Sequence, residues 1–454
     1  MSENHISIED TSPLLDDLPI LNHRDSEDDE LIDDDEIKIR IVRTVPKGTI
    51  LSSCINLCNT ILGSGMLAMP SALAATGMGL GILLIAFCAS CSAFGLFLLS
   101  QIAAQVGRKS SFFTCASITY PKAALFFDLA IAIKCFGVSI SYLVIVGGLM
   151  PQIVAAFYPE TALDSLWRSR DMWITACMFI IAPFAFLRRL DSLRYTSAVA
   201  LMAVVYLLLV VVSFYFFPSQ DMPEPPTFGE IEWLKFDSNF LSHFPIFVFA
   251  FTCHQNIFSV HNELEDNSSR QINKVISRSI GTSFVVYETI GVIGYLTFGS
   301  NVLSNVIAQY PASGIITGGQ CAIAFLVLFS YPLQCHPCRI CLDKVLPYGN
   351  PHDPNISTSR FTLITLGIMV SSYICAVTIS DLSTILSLVG ATGSTTICYI
   401  LPGIFYYKLV ETQRQLNERR PFLQILAMSM VVFGFVVMFT CLGNIFFGSG
   451  AAGH

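Results

Sequence analysis

The residues whose types and spacing could do chemistry lie in an apolar stretch, residues 54–70 (CINLCNTILGSGMLAMP). Gly63, Ser64 and Gly65 lie near its centre, where such poor helix formers weaken a membrane helix. A break there exposes main-chain groups that hydrocarbon cannot satisfy, so it persists where it faces a polar ligand, an ion, water or buried protein. Two half-helices that meet at a break direct their dipole ends at the charged groups of a bound ligand. The stretch therefore predicts a binding site, and the alternative is that its glycines only admit a neighbouring helix.

The composition places this stretch in a membrane protein. The chain has 454 residues, of which 53% are hydrophobic and 13% charged, and its mean hydropathy is +0.62. These values predict an all-α polytopic membrane protein. The membrane part has no paired carboxylates, triad or nucleotide loop, so we do not expect an enzyme. Cys335, His336 and Cys338 have a spacing that zinc could use, but a second ligand pair is missing and we expect no metal.

The acidic residues are concentrated at the start of the chain. The first 36 residues hold 14 of the 33 acidic residues and one basic residue. Residues 1–44 have no apolar run and no cleavable signal peptide, which predicts a disordered cytosolic tail before a transporter domain at 45–454. Within the tail, Asp10, Leu14 and Leu15 form a pattern that resembles the dileucine signal read by adaptor complexes on the route to vacuoles and lysosomes. The alternative is that these residues are only solvated chain.

The apolar segments that follow have membrane-spanning length. We predict eleven spans, at 48–74, 79–106, 123–151, 172–187, 194–217, 239–262, 275–298, 312–342, 359–379, 382–407 and 421–447. With the N-terminus in the cytosol, 21 of the 25 lysines and arginines fall on the cytosolic side. This asymmetry predicts a cytosolic N-terminus and a lumenal C-terminus.

Several motifs resemble the amino acid/auxin permease family, which includes fungal vacuolar amino acid transporters and animal sodium-coupled neutral amino acid transporters. The motifs are NTILGSGMLAMP at 59–70, FAFTCHQN at 249–256, YP at 331–332 and HPCR at 336–339. The resemblance implies a LeuT-like fold, a five-plus-five inverted repeat with broken first and sixth helices and one extra C-terminal helix. It also implies substrate-binding residues in the two broken segments: Asn59, Gly63, Ser64, Gly65, Met66, Thr252, Cys253 and His254.

Ionisable residues inside the spans are candidates for ion coupling, because their burial is costly. Glu288 lies near the middle of the seventh span and Lys134 near the middle of the third. We expect the two side chains to interact, and the alternatives are a static pair or side chains that reach an aqueous cavity. His254 is either a pH sensor or a structural hydrogen-bond donor. In the sodium-coupled relatives, hydroxyls of the eighth helix bind the ion, and Ser330 is the main candidate here.

Together these patterns predict a secondary active transporter that carries amino acids across a vacuolar or lysosomal membrane by alternating access. With Ser330 as the main ligand, sodium coordination is sparse, so a proton gradient is favoured and no other cofactor is expected. Because neither broken segment contains arginine, we expect main-chain recognition of neutral amino acids. The expected partners are the amino acid, membrane lipid and an adaptor complex, without nucleic acid. The alternatives are an amino acid sensor that signals through the tail and a sodium-coupled transporter of the plasma membrane.

Overall fold

The computed structural model describes residues 48–108, 110–162, 164–188, 196–218, 229–346, 357–413 and 421–447. The predicted sorting residues Asp10, Leu14 and Leu15, and the predicted boundary of the tail at residue 44, lie outside these ranges.

The described chain is built from α-helices joined by short 3-10 turns and loops. In chain order the helices are α1 (Ile50–Ile61), α2 (Ser64–Thr76), α3 (Met78–Val106), α4 (Phe112–Thr119), α5 (Ala124–Phe157), α6 (Arg170–Ala185), α7 (Thr196–Phe216), α8 (Ser238–Ala250), α9 (Ile257–Glu263), α10 (Ser269–Phe298), α11 (Gly314–Val345), α12 (Thr358–Thr378), α13 (Leu382–Val389), α14 (Leu401–Gln413) and α15 (Pro421–Phe447).

The lengths of these helices confirm a polytopic membrane protein. Seven helical segments of the described chain are long and apolar enough to cross a membrane, and the bent pair α1–α2 makes up to eight. Three of the predicted spans are not among them: α6 has 16 residues, the apolar helix at Ala200–Phe216 is shorter than a usual span, and the segment at 239–262 is divided into short helices. Eleven spans and the inverted repeat therefore stay predictions.

The first predicted span is broken where the glycines indicate. Helix α1 begins with a capping box, in which Thr49 and Ser52 each accept the main-chain N–H of the other on their side-chain oxygen. It ends at Ile61, and α2 begins at Ser64 with its axis bent by 52° from that of α1. The structure thus confirms the break, with Gly63 in the connection and Ser64 and Gly65 in the first turn of α2.

The sixth predicted span is also broken. Helix α8 begins after Asp237, whose carboxylate accepts two main-chain N–H groups of the first turn, and it ends at Ala250. Residues 251–253 are not helical, a 3-10 turn occupies His254–Asn256, and α9 follows. The break that the resemblance implied is therefore confirmed.

The buried centre of the molecule is formed by α5, most of whose residues are inaccessible to solvent. Among the described helices, α5 packs most extensively against α11, and α10 packs against α1, α2 and α3. By contrast, α15 exposes large apolar side chains, among them Phe439 (66% exposed) and Val432 (59% exposed). Such an apolar outer face suits contact with lipid hydrocarbon.

The tenth predicted span contains an irregular stretch between α13 and α14. It consists of two π-helical turns, Gly390–Ser394 and Thr396–Ile400, and the hydroxyl of Thr395 donates a hydrogen bond of 2.7 Å to the Gly390 carbonyl. Gly390 lies against the carbonyl of Pro245 in α8, where no Cβ could be accommodated. Turns of this kind occur often at functional sites, and this one passes between α8 and α5.

Candidate functional site

A cavity lies where the two broken segments meet α5 and α11. The space left between its protein atoms is about 280 Å³ when open solvent is included, and in this structure it is narrow enough to hold about one water molecule. The lining residues come from the first broken segment (Thr60, Ile61, Gly63, Ser64), α5 (Lys134, Val138, Tyr142), the sixth broken segment (Phe249, Thr252) and α11 (Gln334).

The connection between α1 and α2 presents its main chain to this cavity. A Cβ built on Gly63 would meet only the Tyr142 hydroxyl within 4 Å, at 3.8 Å, so the space beside Gly63 is open. Ser64, which follows it, accepts a hydrogen bond of 3.1 Å from the Ser141 hydroxyl. The amides in the first turn of a helix have no partner within that helix and carry partial positive charge. The start of α2 is therefore suited to a carboxylate in the cavity.

Gly65 lies at a contact between helices and not in the cavity lining. A Cβ on Gly65 would lie 3.2 Å from Ala250 Cα and 3.3 Å from the Tyr287 hydroxyl. Gly65 thus allows the close approach of α2 to the end of α8, which is the helix-packing alternative for this residue. Met66 is 1% exposed, and neither residue belongs to the cavity lining in the described structure.

Tyr287 of α10 connects the two breaks. Its hydroxyl oxygen lies 2.6 Å from the carbonyl oxygen of Ile61, the last residue of α1, and 2.9 Å from that of Ala250, the last residue of α8. The carbonyls in the last turn of a helix have no intrahelical partner. One side chain therefore serves the carbonyl ends of both broken helices.

The sixth segment contributes Phe249 and Thr252 to the lining. The Thr252 hydroxyl donates to the Val248 carbonyl at 3.0 Å and lies 3.3 Å from the Cys398 thiol, so it is fixed on the wall. Cys253 and His254 are both fully buried. Neither belongs to the lining that the structure describes.

His254 is buried between the sixth segment and α3. A Cβ on Gly95 of α3 would lie 2.7 Å from His254 Nε2. Neither ring nitrogen has a hydrogen-bond partner among the described residues. The histidine therefore lies behind the wall of the cavity, and its role as a pH sensor or as a structural donor stays a prediction.

Lys134 lies in the cavity wall rather than beside Glu288. Its residue is 3% exposed, and it lines the cavity together with Val138 and Tyr142, at successive spacings of four residues along α5. The described residues include no ion pair between Lys134 and Glu288. The expected interaction of these two residues is therefore not formed in this structure.

The other predicted coupling residues lie outside the lining as the structure describes it. Glu288 is half-buried on α10, and its Oε1 atom is buried without a hydrogen-bond partner in the described chain. Ser330 is half-buried on α11, one helical turn before the cavity residue Gln334. Asn59 is half-buried in α1, next to the cavity residue Thr60. Their predicted roles in ion coupling and substrate binding are not tested by this geometry.

These features define a multi-pass membrane protein with an internal cavity at paired helix breaks. The family model described as transmembrane amino acid transporter protein matches residues 46–447. The chain is 43% identical over 412 residues to vacuolar amino acid transporter 5 of Schizosaccharomyces pombe, which covers 88% of this chain and 94% of that protein.

Two further relatives extend the comparison. The chain is 34% identical over 444 residues to vacuolar amino acid transporter 6 of Saccharomyces cerevisiae, covering 87% of this chain and 98% of that protein. It is 27% identical over 414 residues to sodium-coupled neutral amino acid symporter 2 of Danio rerio, covering 85% of this chain and 80% of that protein. The chain therefore belongs to the amino acid/auxin permease family, whose members are transporters and not enzymes. The resemblance seen in the motifs is confirmed.

Proposed function

We propose that this protein is a secondary active transporter of neutral amino acids in the vacuolar membrane. The observation that carries the proposal is the cavity at the two breaks, which is lined by Gly63, Ser64 and Lys134 together. Its lining has one cationic side chain and, among the described residues, no carboxylate. One cation matches the single carboxylate of a neutral amino acid and leaves the second carboxylate of an acidic one unmatched.

Alternating access is supported by the way in which the broken helices are connected. Asn256 of the sixth segment donates from Nδ2 to the Thr60 hydroxyl at 2.6 Å and to Asn56 Oδ1 at 3.2 Å. Together with Tyr287, these hydrogen bonds link α1 to both sides of the break in the sixth segment. We infer that the two segments move as one unit against α5 and α11, which opens the cavity to each side in turn.

The location and the energy source belong to the same proposal. Two relatives named above are vacuolar transporters, which supports a vacuolar membrane location. The distribution of lysines and arginines along the sequence favours an N-terminus in the cytosol. We propose that the proton gradient across that membrane drives transport and that Glu288 carries the proton, since its Oε1 atom is buried without a partner in the described chain.

Uptake into proteoliposomes tests the proposal. Purified protein is reconstituted, a panel of labelled amino acids is supplied, and proton and sodium gradients are imposed separately. We expect accumulation of neutral amino acids that requires the proton gradient and not the sodium gradient. Accumulation with sodium alone would indicate a sodium-coupled transporter, and binding without any uptake would indicate a sensor.

A further inference from the structure

The charge of the cavity is set by one residue. Lys134 is the only lining residue with a charged side chain, and it has neither a hydrogen bond nor an ion pair in the part of the chain that the structure describes. The described lining contains no carboxylate, so a carboxylate that enters the cavity meets a lysine amine without a partner.

An isolated ammonium group is unfavourable in a membrane interior, because it loses its hydration and gains no counter-charge. A carboxylate brought by a ligand would offset that loss and would form a charge-assisted hydrogen bond. The start of α2, at Ser64, adds partial positive charge in the same cavity. Lys134 and the start of α2 therefore both favour the carboxylate end of an amino acid.

The opposite end of the ligand finds partial negative charge in the same place. Ile61, which also lines the cavity, is the last residue of α1. Its main-chain oxygen already accepts from the Tyr287 hydroxyl and the Gly63 N–H, so it contributes through the negative end of the α1 dipole. An α-ammonium group near Ile61 and an α-carboxylate near Lys134 would thus both meet complementary charge. Side-chain recognition is left to the apolar wall at Val138 and Phe249.

The position of Lys134 is fixed by its surroundings. A Cβ on Gly393, in the π-helical stretch, would lie 2.8 Å from both the Cβ and the main-chain nitrogen of Lys134. The absence of a side chain at Gly393 lets this stretch pack directly on the lysine backbone. Lys134 is therefore anchored on the long, buried helix α5, and only the end of its side chain is free to meet a ligand.

We propose that Lys134 binds the α-carboxylate of the transported amino acid, which makes it the specificity-determining residue for that group. This inference rests on the proposed function and deepens it. It assigns Lys134 to substrate recognition, where the sequence had placed it in ion coupling with Glu288.

Competition binding with matched ligands tests the proposal. Labelled L-alanine, L-leucine and L-glutamine are bound to the purified full-length protein and displaced by the same amino acids or by their carboxamides. We expect the wild type to prefer the acid over the amide by at least about tenfold, equivalent to ~1.4 kcal/mol. In Lys134→Gln we expect the affinity for the acid to fall by about that factor while the affinity for the amide stays the same.

Two control variants accompany this test. Lys408→Gln removes an exposed lysine that pairs with Glu411 in α14, and it should keep the wild-type preference. Lys134→Arg retains the positive charge and should keep part of the preference for the acid. If Lys134→Gln keeps the full preference for the acid, the proposal is wrong. The proposal is also wrong if the wild type binds the amides as tightly as the acids, and this result does not depend on whether the variant folds. If the wild type and Lys408→Gln bind none of the labelled amino acids, the proposed function fails as well.

Discussion

The hydroxyl oxygen of Tyr287 lies 2.6 Å from the main-chain oxygen of Ile61 at the end of α1. The same hydroxyl lies 2.9 Å from the main-chain oxygen of Ala250 at the end of α8. A phenol has one proton, so it donates to one of the two carbonyls at a time. Tyr287 thereby joins two breaks that are separated by nearly 190 residues of chain, at the point where Gly65 brings the helices into contact.

Replacing Tyr287 by Phe should weaken this junction. The change removes the one hydroxyl proton that the two carbonyls share. The Ile61 carbonyl keeps its hydrogen bond of 2.9 Å from the Gly63 N–H, so the loss falls on the Ala250 carbonyl, and one unsatisfied group of this kind costs about 1–3 kcal/mol. We expect a lower thermal midpoint and weaker amino acid binding, measured on purified protein. Tyr206→Phe is the matched control, because the Tyr206 hydroxyl donates to the Ile315 carbonyl at 2.7 Å away from the cavity. If both variants bind amino acid equally well, Tyr287 does not organise the site.

Substitutions at Gly63 and Gly65 should have different effects. A side chain at Gly65 would press on Ala250, and overpacking of this kind costs about 1–3 kcal/mol, so Gly65→Val should lower the thermal midpoint. A methyl group at Gly63 has open space beside it but enters the cavity. Gly63→Ala should therefore fold normally and bind substrate more weakly. A ligand titration together with a melting curve separates the two effects, and the reverse pattern would contradict this assignment.

The sequence predicted the breaks better than it predicted the cavity wall. Gly63, Ser64 and Gly65 have intrinsically poor helix propensity, so a break near them follows from local chemistry. The different roles of Gly63 and Gly65 do not follow from local chemistry, because only the packing of α2 on Ala250 distinguishes Gly65 from Gly63. In the same way, the period of a helix places Lys134 and Tyr142 on one face of α5, but it does not tell whether that face meets Glu288 or the cavity. Gln334 was missed for this reason too.

The α9 end of the sixth segment should depend on Arg108. Its guanidinium donates to the carbonyls of Leu264 at 2.9 Å and Glu265 at 2.7 Å, just beyond the end of α9. Gly48, which follows the tail, donates from its main-chain N–H to the Glu263 carbonyl at 2.9 Å. We expect Arg108→Ala to speed hydrogen exchange at residues 262–266, measured by mass spectrometry. Lys408→Ala should not change exchange there, and unaltered exchange in Arg108→Ala would show that the arginine is dispensable.

The tail residues Leu14 and Leu15 should direct the protein to the vacuole. Replacing both by Ala removes the apolar pair that adaptor complexes would recognise. We expect the double variant, followed by fluorescence microscopy of a tagged protein, to appear at the cell surface. Replacing the apolar pair Leu18 and Ile20 of the same tail is the control and should not alter sorting. Vacuolar arrival of the double variant would remove these residues from the sorting hypothesis.

Glu288 is the residue for which coupling to protons is proposed. A carboxylate that is protonated in one orientation of the transporter and ionised in the other can bias the equilibrium between them. A bias of about a hundredfold requires that protonation change the free-energy difference by about 2.7 kcal/mol. Glu288→Gln keeps the shape of the side chain but cannot release the proton. We therefore expect it to retain amino acid binding and counterflow and to lose accumulation driven by an imposed pH gradient.

Measuring both activities in the same proteoliposomes distinguishes coupling from a structural role. If Glu288 only holds helices together, the variant should be unstable or inactive in counterflow as well as in gradient-driven uptake. Glu411→Gln, which removes an exposed carboxylate paired with Lys408, is the matched control and should keep both activities. Normal pH-driven accumulation by Glu288→Gln would assign the proton to another group. His254, which is fully buried and has no partner for its ring nitrogens in the described chain, would then be the next residue to test.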